Sequence, residues 1–347
     1  MKIFMAGYYA GRDGIEDTQS IHLRISQMDR RYPHILESYH YIKDKPMIAQ
    51  KIREHKNKIF LDSGAFSMHT KNVQVDLTSY AKFIRDNSDI IHTAANLDAI
   101  KPRHEQLSYD RLKQLEGLGV KPMPVHHVRD RGYWLQKYLD EGYDYIALGG
   151  MVGENKKILK RWLDHVWRKY LLKPDGTPKV RVHAFGLTDS RFMFRYQWAS
   201  CDSTAWIMTS RNGGIFLDLP SGGLIKDCKI EFSSRSSKRF DVKSSHFNVL
   251  TPLNKKAVLA RLEQLEGERI KYPEEAELQK LVNYKMGFNS EAFSESYGWR
   301  DIANIFYFGR LMNRFKPRNE SNLRTMHTPH VDGFDGISTK GETQSRN

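Results

Sequence analysis

The sequence predicts an α/β protein: a (β/α)8 TIM barrel followed by a basic, mostly helical C-terminal addition. Three observations carry that expectation. Six short apolar runs each end in a carboxylate, a histidine or a glycine: IFL-Asp62, AANL-Asp98, MPV-His126, YIAL-Gly149, VHAF-Gly186 and WASC-Asp202. Segments of helical spacing lie between them, and such alternation argues for a parallel sheet with helices outside. Glycine pairs and polar strand ends recur regularly, which favours closure into a barrel. An open doubly wound sheet is the runner-up. It carries a glycine-rich fingerprint after its first strand, and the spacing of Gly7, Gly11 and Gly14 misses it.

The elements follow in order. KIFMAG (2–7) is a first strand, and 17–55 read as largely helical, with tyrosines and basic residues throughout. KIFLDSG (58–64) is a strand. Leu77, Tyr80, Ala81 and Ile84 give 77–87 a helical face. DIIHTAANLD (89–98) is a strand, and 108–120 is a helix closed by glycine. KPMPVHHV (121–128), YDYIALGG (143–150) and KVRVHAFG (179–186) are strands, separated by helices at 131–142 and 155–171. After a helix at 188–197, ASCDSTAW (199–206) is a seventh strand and GGIFLDL (213–219) the eighth. The barrel is thus expected over 1–220. A polar, serine-rich insertion or short hairpin follows at 221–250, then helices at 252–267, 273–287 and 296–315. The segment 317–347 has few apolar residues and is expected to be disordered.

Composition narrows the function. The 347 residues are 39% hydrophobic and 12% aromatic, enough for a sizeable core. Two cysteines, Cys201 and Cys228, exclude a disulfide framework and a four-cysteine zinc site and fit a reducing compartment. The first residues do not read as a signal peptide, and no run approaches the ~20 apolar residues of a membrane span. A soluble, cytoplasmic protein is expected. The net charge of +14 suggests a polyanionic partner, although an inert basic surface is the plain alternative. Three clusters favour the first reading. One is Lys156, Lys157, Lys160, Arg161, Arg168 and Lys169. A second is Lys226, Lys229, Arg235, Lys238 and Arg239, near Phe232. The third is Arg310, Arg314, Lys316 and Arg318, interleaved with Phe306, Tyr307, Phe308 and Phe315. Cations can neutralise phosphates and aromatics can stack on bases; those of the last cluster can equally pack a helix.

At the strand ends of a barrel, residues distant in sequence converge on one face, so Asp62, Asp98 and Asp202 would share a pocket. Asp62 and Ser63 can be read as site residues or as an ordinary helix cap, and Asp98 likewise. Gly64 permits close approach of a planar ligand. Asp202 can be a nucleophile that forms an ester, or a structural carboxylate bound to backbone amides. Gly149 and Gly150 expose backbone groups to a ligand.

Four of these segments, in order, resemble those of the tRNA-guanine transglycosylase superfamily. LDSGAF resembles its Asp-Ser-Gly-Gly-Phe segment, and ANLDAI the segment of its base-reading aspartate. ALGGMVGE is similar to its glycine-rich loop, and CDSTAW to its nucleophile segment. The resemblance covers about residues 55–220. It implies that Asp202 attacks C1′ of a guanosine, that Asp62 is the general acid/base, and that Asp98 accepts hydrogen bonds from the base. Gly149 and Gly150 would meet the base edge, and Gly186 would line the pocket. Where the family has a glutamine against the base carbonyl, this chain has His126 and His127, either of which could take that place as a neutral donor.

The zinc site of the bacterial tRNA enzymes needs three cysteines, so no metal or other cofactor is expected. Nor are the long RNA-binding domains of the archaeal enzymes expected in these 347 residues. The chain most resembles the zinc-free, phage-type branch that exchanges guanine in DNA for a 7-deazaguanine, such as 7-cyano-7-deazaguanine, and thereby protects DNA from restriction. DNA and the free base are the expected partners, in a host cytoplasm if the chain is phage-encoded. Contacts to the strand are expected from Lys226, Lys229, Arg235, Lys238, Arg310, Arg314 and Lys316. The alternatives are a tRNA-guanine transglycosylase, and a silent barrel serving as a nucleic-acid-binding subunit.

Overall fold

The computed structural model describes residues 1–9, 34–65, 76–100, 103–187, 189–221, 224–270 and 288–315. Eight parallel strands carry the fold: β1 (Lys2–Ala6), β2 (His34–Ser38), β3 (Ile59–Asp62), β4 (Ile91–Ala94), β5 (Val125–His127), β6 (Tyr145–Gly149), β7 (Arg181–Ala184) and β8 (Ser200–Ser203). Each pairs with its sequence neighbour, and β1 also pairs with β8. The seam between β4 and β5 is closed by a parallel bridge, Ala95 to Met123. There Asn96 N–H donates to Met123 O and Met123 N–H to Ala94 O, both at 2.8 Å. The sheet therefore closes on itself as a TIM barrel.

Alternation along the strands builds two cores. Outward residues such as Ile3, Met5, Ile35, Ile59, Leu61, Ile146, Leu148 and Val182 pack under the helices. Inward residues Phe4, Ala6, Leu36, Phe60, Ala95, Met123, Val125 and Ala147 fill the barrel. The surrounding helices are α1 (Tyr39–Ile42), α2 (Pro46–Glu54), α3 (Leu77–Asp86), α4 (Glu105–Gly117), α5 (Gly132–Asp140), α6 (Lys156–Val166), α7 (Ser190–Arg195) and α8 (Ala205–Arg211). Their starts are chemically marked. Asp76 accepts from Thr78 and Ser79 N–H, Asn155 from Lys157 N–H, and Asp189 from Arg191 N–H. On α6, Leu159, Trp162, Leu163 and Val166 face inward while Lys156, Lys157, Lys160 and Arg161 face solvent.

Two expectations about strands are corrected. The second strand, HILES, lies within the stretch read as helical. A five-residue strand with only Ile35 and Leu36 as apolar centre is too short to show a period beside the helical spacing that follows it. The segment 213–219 is not the eighth barrel strand. It belongs to β9 (Gly214–Ser221), which pairs antiparallel with β10 (Leu224–Glu231) in a separate two-stranded sheet. Alternating Ile215 and Leu217 serve a hairpin as well as a barrel, so periodicity could not separate the two. The run ending in Asp202 is thus the eighth strand.

The hairpin packs with α9 (Pro252–Ile270), α10 (Ser290–Glu295) and α11 (Tyr297–Asn313) around Ile215, Leu217, Ile230, Phe232, Val258, Leu262, Phe293 and Ile302. This second core is not independent of the barrel. α11 returns to it: Met312 Sδ accepts from Ile3 N–H at 3.0 Å, and Phe315 stacks on Phe194 at 4.3 Å. Ile3 lies near the start of β1 and Phe194 near the end of α7, so α11 finishes beneath the barrel, opposite the carboxyl ends of the strands. The expected helix at 273–287 and the expected disorder of 317–347 lie outside the described residues.

Fully buried Asn304 joins the two cores. Its Oδ1 accepts from Phe216 N–H at 2.7 Å and its Nδ2 donates to Trp206 O at 2.8 Å. Asn304→Ala leaves Phe216 N–H without a partner and removes the second bond to Trp206 O, which keeps its bond within α8. Denaturant unfolding is expected to show a loss of about 1–3 kcal/mol, the cost of one orphaned buried group. A loss below about 0.5 kcal/mol would show that the junction lies elsewhere.

Candidate active site

Parallel closure brings the carboxyl ends of β3, β7 and β8 and the segments after β4 and β6 to one mouth. Asp62 ends β3, Asp202 lies in β8, and Asp98 follows β4. Burial raises the Asp62 carboxyl to about 7, and the nearby charges of Asp98 and Asp202 add to the rise. Gly64 N–H, donating to Oδ2 at 3.0 Å, and the Ser38 hydroxyl pull the other way. Asp62 is therefore close to half-protonated at neutral pH, as a proton-transfer group needs to be. Gly64 is required by geometry: its φ is +76°, and a Cβ there would stand 2.7 Å from His40 Cβ. Ser63 is buried, and its hydroxyl accepts a long 3.4 Å bond from Ala65 N–H within its own turn.

Asp98 is held by a cation. His127 Nε2 lies 2.8 Å from Asp98 Oδ2, and its Nδ1 lies 3.4 Å from Asp130 Oδ2. Burial opposes charge on this imidazole, but Asp98 and Asp130 outweigh it and raise His127 to about 10. Asp130 also accepts from His127 N–H at 2.7 Å. Gly149, paired with His127 in the ladder, makes room: a Cβ there would meet His127 Cδ2 at 2.9 Å and Nε2 at 3.1 Å. Its carbonyl accepts from Val128 N–H at 3.2 Å, and Gly150 opens the following loop.

The two histidines part ways by strand alternation. His126 stands on the outer face, stacked on Trp162 of α6, and burial lowers it to about 4. It is not a base-reading residue. His127 faces the site, yet both its ring nitrogens face carboxylates, so the expected neutral donor to a base carbonyl is corrected to a cation that anchors Asp98.

Asp202 is anchored through one oxygen. Its Oδ1 accepts from Gly186 N–H at 2.8 Å and lies 3.3 Å from His183 Nε2. Among the described hydrogen bonds, none falls on Oδ2. His183 is fully buried against Phe4, Phe60 and Phe185, and burial lowers its pKa against the pull of Asp202. Sequence reading passed over His183; its place two residues before the VHAF strand end, facing the same side as Phe185, was the available signal.

The C-terminal arginines are corrected. Arg310 binds Asp218 with Nη2 at 2.8 Å and Nε at 3.2 Å, beside Arg261 on the same carboxylate. Arg314 binds Asp227 at 2.6 Å. Both are consumed by internal ion pairs. Phe232, Tyr307 and Phe308 are buried, so they pack the fold and do not present faces to bases. Lys226, Arg235 and Lys238 are exposed, while Lys229 lies 3.8 Å from Glu231. Lys316 lies outside the described residues. Sequence reading missed Arg129 and Arg131 beyond β5 and Arg191 at the start of α7, which join Lys156 and Lys157, already singled out, as exposed cations on the mouth loops. Arg129, Arg131, Lys156 and Arg191 each touch an acidic neighbour (Glu154, Glu105 or Asp189) yet stay largely open to solvent, unlike Arg310 and Arg314.

No protein-family model matches the chain, and no curated protein does. Among solved structures it is similar to the tryptophan synthase alpha-subunit of Pyrococcus furiosus. The D110A form is 12% identical, with a TM-score of 0.38 over 60% of this chain and 88% of that one. The D17N form is 12% identical, with a TM-score of 0.39 over 61% and 90%. A protein from Aquifex aeolicus VF5 is 8% identical, with a TM-score of 0.37 over 59% and 83%. The barrel assignment rests on the strand order and its closure. Among the described residues, no helix is long and apolar enough to cross a membrane.

The raised pKa of Asp62 has a stability consequence. The native state keeps this proton where the unfolded chain, with a carboxyl near 3.8, has lost it, so stability falls as pH climbs toward about 7. Asp62→Asn removes the penalty. Its stability advantage over the native chain is expected to widen by on the order of 3 kcal/mol between pH 5 and pH 8. Thermal melts at the two pH values check this, and a constant difference would refute it.

Proposed function

We propose that the chain is a guanine transglycosylase acting on DNA. The observation that carries this reading is the meeting of Asp62, Asp98 and Asp202 at one barrel mouth in three different electrostatic settings. The ordered resemblance of their segments to the transglycosylase superfamily supports it. Asp202 Oδ2 attacks C1′ of a deoxyguanosine, the C1′–N9 bond breaks, and a proton from Asp62 neutralises the departing guanine. A 7-deazaguanine then enters, gives its N9 proton to Asp62, and attacks C1′ to expel Asp202. Two displacements retain configuration, as in retaining glycosidases. Asp98, held by His127, accepts from N–H groups of the bound base. A target guanosine must leave the helix stack to reach the mouth, at a cost of a few kcal/mol.

Duplex DNA and tRNA, each carrying labelled guanine, are incubated with the protein and 7-cyano-7-deazaguanine. Label is expected to leave DNA, and Asp202→Ala should reduce release by about 10³-fold or more. The first-displacement rate is expected to fall as pH rises through about 7, where Asp62 loses the proton it donates. Release from tRNA alone would move the substrate, and release from neither would remove the reading.

The exposed cations of the mouth loops fit an incoming phosphate backbone better than Arg310 and Arg314 do. Replacing Arg129, Arg131, Lys157 and Arg191 by alanine should weaken DNA binding and lower the slope of log K against log salt by about one for each phosphate no longer neutralised. Alanine at Arg310 and Arg314 should leave that slope unchanged. The reverse pattern would return the strand to the C-terminal addition.

A further inference from the structure

Behind Asp202, three polar side chains run down the barrel. Tyr145 OH is 2.5 Å from Ser200 Oγ, Ser200 Oγ is 2.6 Å from His183 Nδ1, and His183 Nε2 is 3.3 Å from Asp202 Oδ1. Ser200 and His183 are completely enclosed. Serine, histidine and aspartate in contact suggest a hydrolase triad, but the order of access is inverted. Here the serine is at the closed end and the aspartate at the mouth, so Ser200 cannot meet a substrate.

The chain has one satisfactory polarity. His183 is kept neutral by burial, so it carries one ring proton. A lone pair on Nε2 would face the Asp202 carboxylate and repel it. With the proton on Nε2, Nδ1 accepts from the Ser200 hydroxyl, and Ser200 accepts from the Tyr145 phenol, which burial keeps protonated. In the opposite polarity the phenol hydrogen has no acceptor among the described hydrogen bonds. Every donor then points toward Asp202 Oδ1, where Gly186 N–H also arrives.

We infer that His183, oriented by Ser200 and Tyr145, is a positioning residue that pins Oδ1 of Asp202 and leaves Oδ2 as the oxygen presented to the substrate. This rests on the reading of Asp202 as nucleophile. The aromatic collar of Phe4, Phe60 and Phe185 serves the same end: it fixes the imidazole plane and keeps out water that would compete for Nε2–H. Asn or Gln amides can imitate one ring nitrogen each, which makes the role separable from bulk. Gln at 183 offers an N–H near the position of Nε2; Leu offers none.

Two measurements test this. The first needs no turnover. Protein labelled with ¹⁵N-histidine, with the His183 signals assigned by their loss in His183→Gln, should show a neutral Nε2–H tautomer at pH 7. Its Nδ1 resonance should move in Ser200→Ala as that acceptor loses its donor. A neutral Nδ1–H tautomer, or an imidazolium, would overturn the inference. The second is base exchange. His183→Leu should lose about 10- to 100-fold in kcat, the range for a hydrogen bond to a charged group, with KM for the free base little changed. His183→Gln should recover most of that loss. Equal kcat in His183→Leu and the native protein would overturn the inference. If His183→Leu does not fold, Ser200→Ala and Tyr145→Phe carry the same comparison. A protein that shows the expected tautomer but exchanges no base would retain the hydrogen-bonded chain and lose the nucleophile.

Discussion

Three carboxylates placed at one barrel mouth repel one another, and each resists leaving water. The rest of the site answers that constraint. Buried charges must be neutralised, paired or hydrogen-bonded. All three solutions appear here, one per aspartate. Asp62 keeps a proton to about pH 7, Asp98 has the His127 cation, and Asp202 has the Gly186 amide and His183. The division gives the groups different chemistry although they are the same residue type. The acid, acceptor and nucleophile of the proposed reaction would then differ through their neighbours alone.

The barrel supplies those neighbours through register. His127 reaches Asp98 because Gly149, opposite it in the ladder, has no side chain. His183 reaches Asp202 because β7 and β8 pair with His183 beside Ser200, two residues below the aspartate. A one-residue slip of β7 would turn His183 to the outer face, among the helices, and bring Ala184 inward. The two-stranded sheet and its helices have a different part. Asp218 takes Arg261 and Arg310, and Asp227 takes Arg314, which fastens β9 and β10 to α9 and α11. A fraction of the large positive charge is therefore structural, and the mouth loops hold exposed cations where a polyanion would approach.

Much of this was legible in the sequence. A strand that ends in a carboxylate inside an alternating α/β pattern marks a barrel mouth, and Asp62, Asp98 and Asp202 were found that way. Strand β2 was hidden because two apolar residues carry no period. The hairpin at 214–231 was hidden because parallel and antiparallel strands share the same alternation. The charge state of His127 depends on Asp130, three residues further along the chain and folded back on it, and no motif announces that. His126 and His127 are adjacent and chemically identical; only the parity of the strand, fixed by Gly149 and Val125 beside them, sends one to Trp162 and the other to Asp98. Arg310 and Arg314 looked available because their acids lie some 90 residues earlier in the chain, at Asp218 and Asp227.

The asymmetry of Asp202 fits what the proposed double displacement would ask of a carboxylate. It must attack as an anion and later depart as one, and the same oxygen should do both. A freely rotating carboxylate would have to be aligned in each step. One held by two donors on Oδ1 starts each step aligned, and those donors also take up the negative charge as the ester opens. The donors must be rigid for this to help, because a donor that reorganises during reaction gives back what it stabilises. Gly186 N–H is backbone, and His183 is locked by Ser200 on one side and by three aromatic rings around it. A buried polar chain in a barrel core is costly where it serves stability alone. Its direction, with each donor pointing toward one oxygen of one aspartate, is what ties it to chemistry at the mouth.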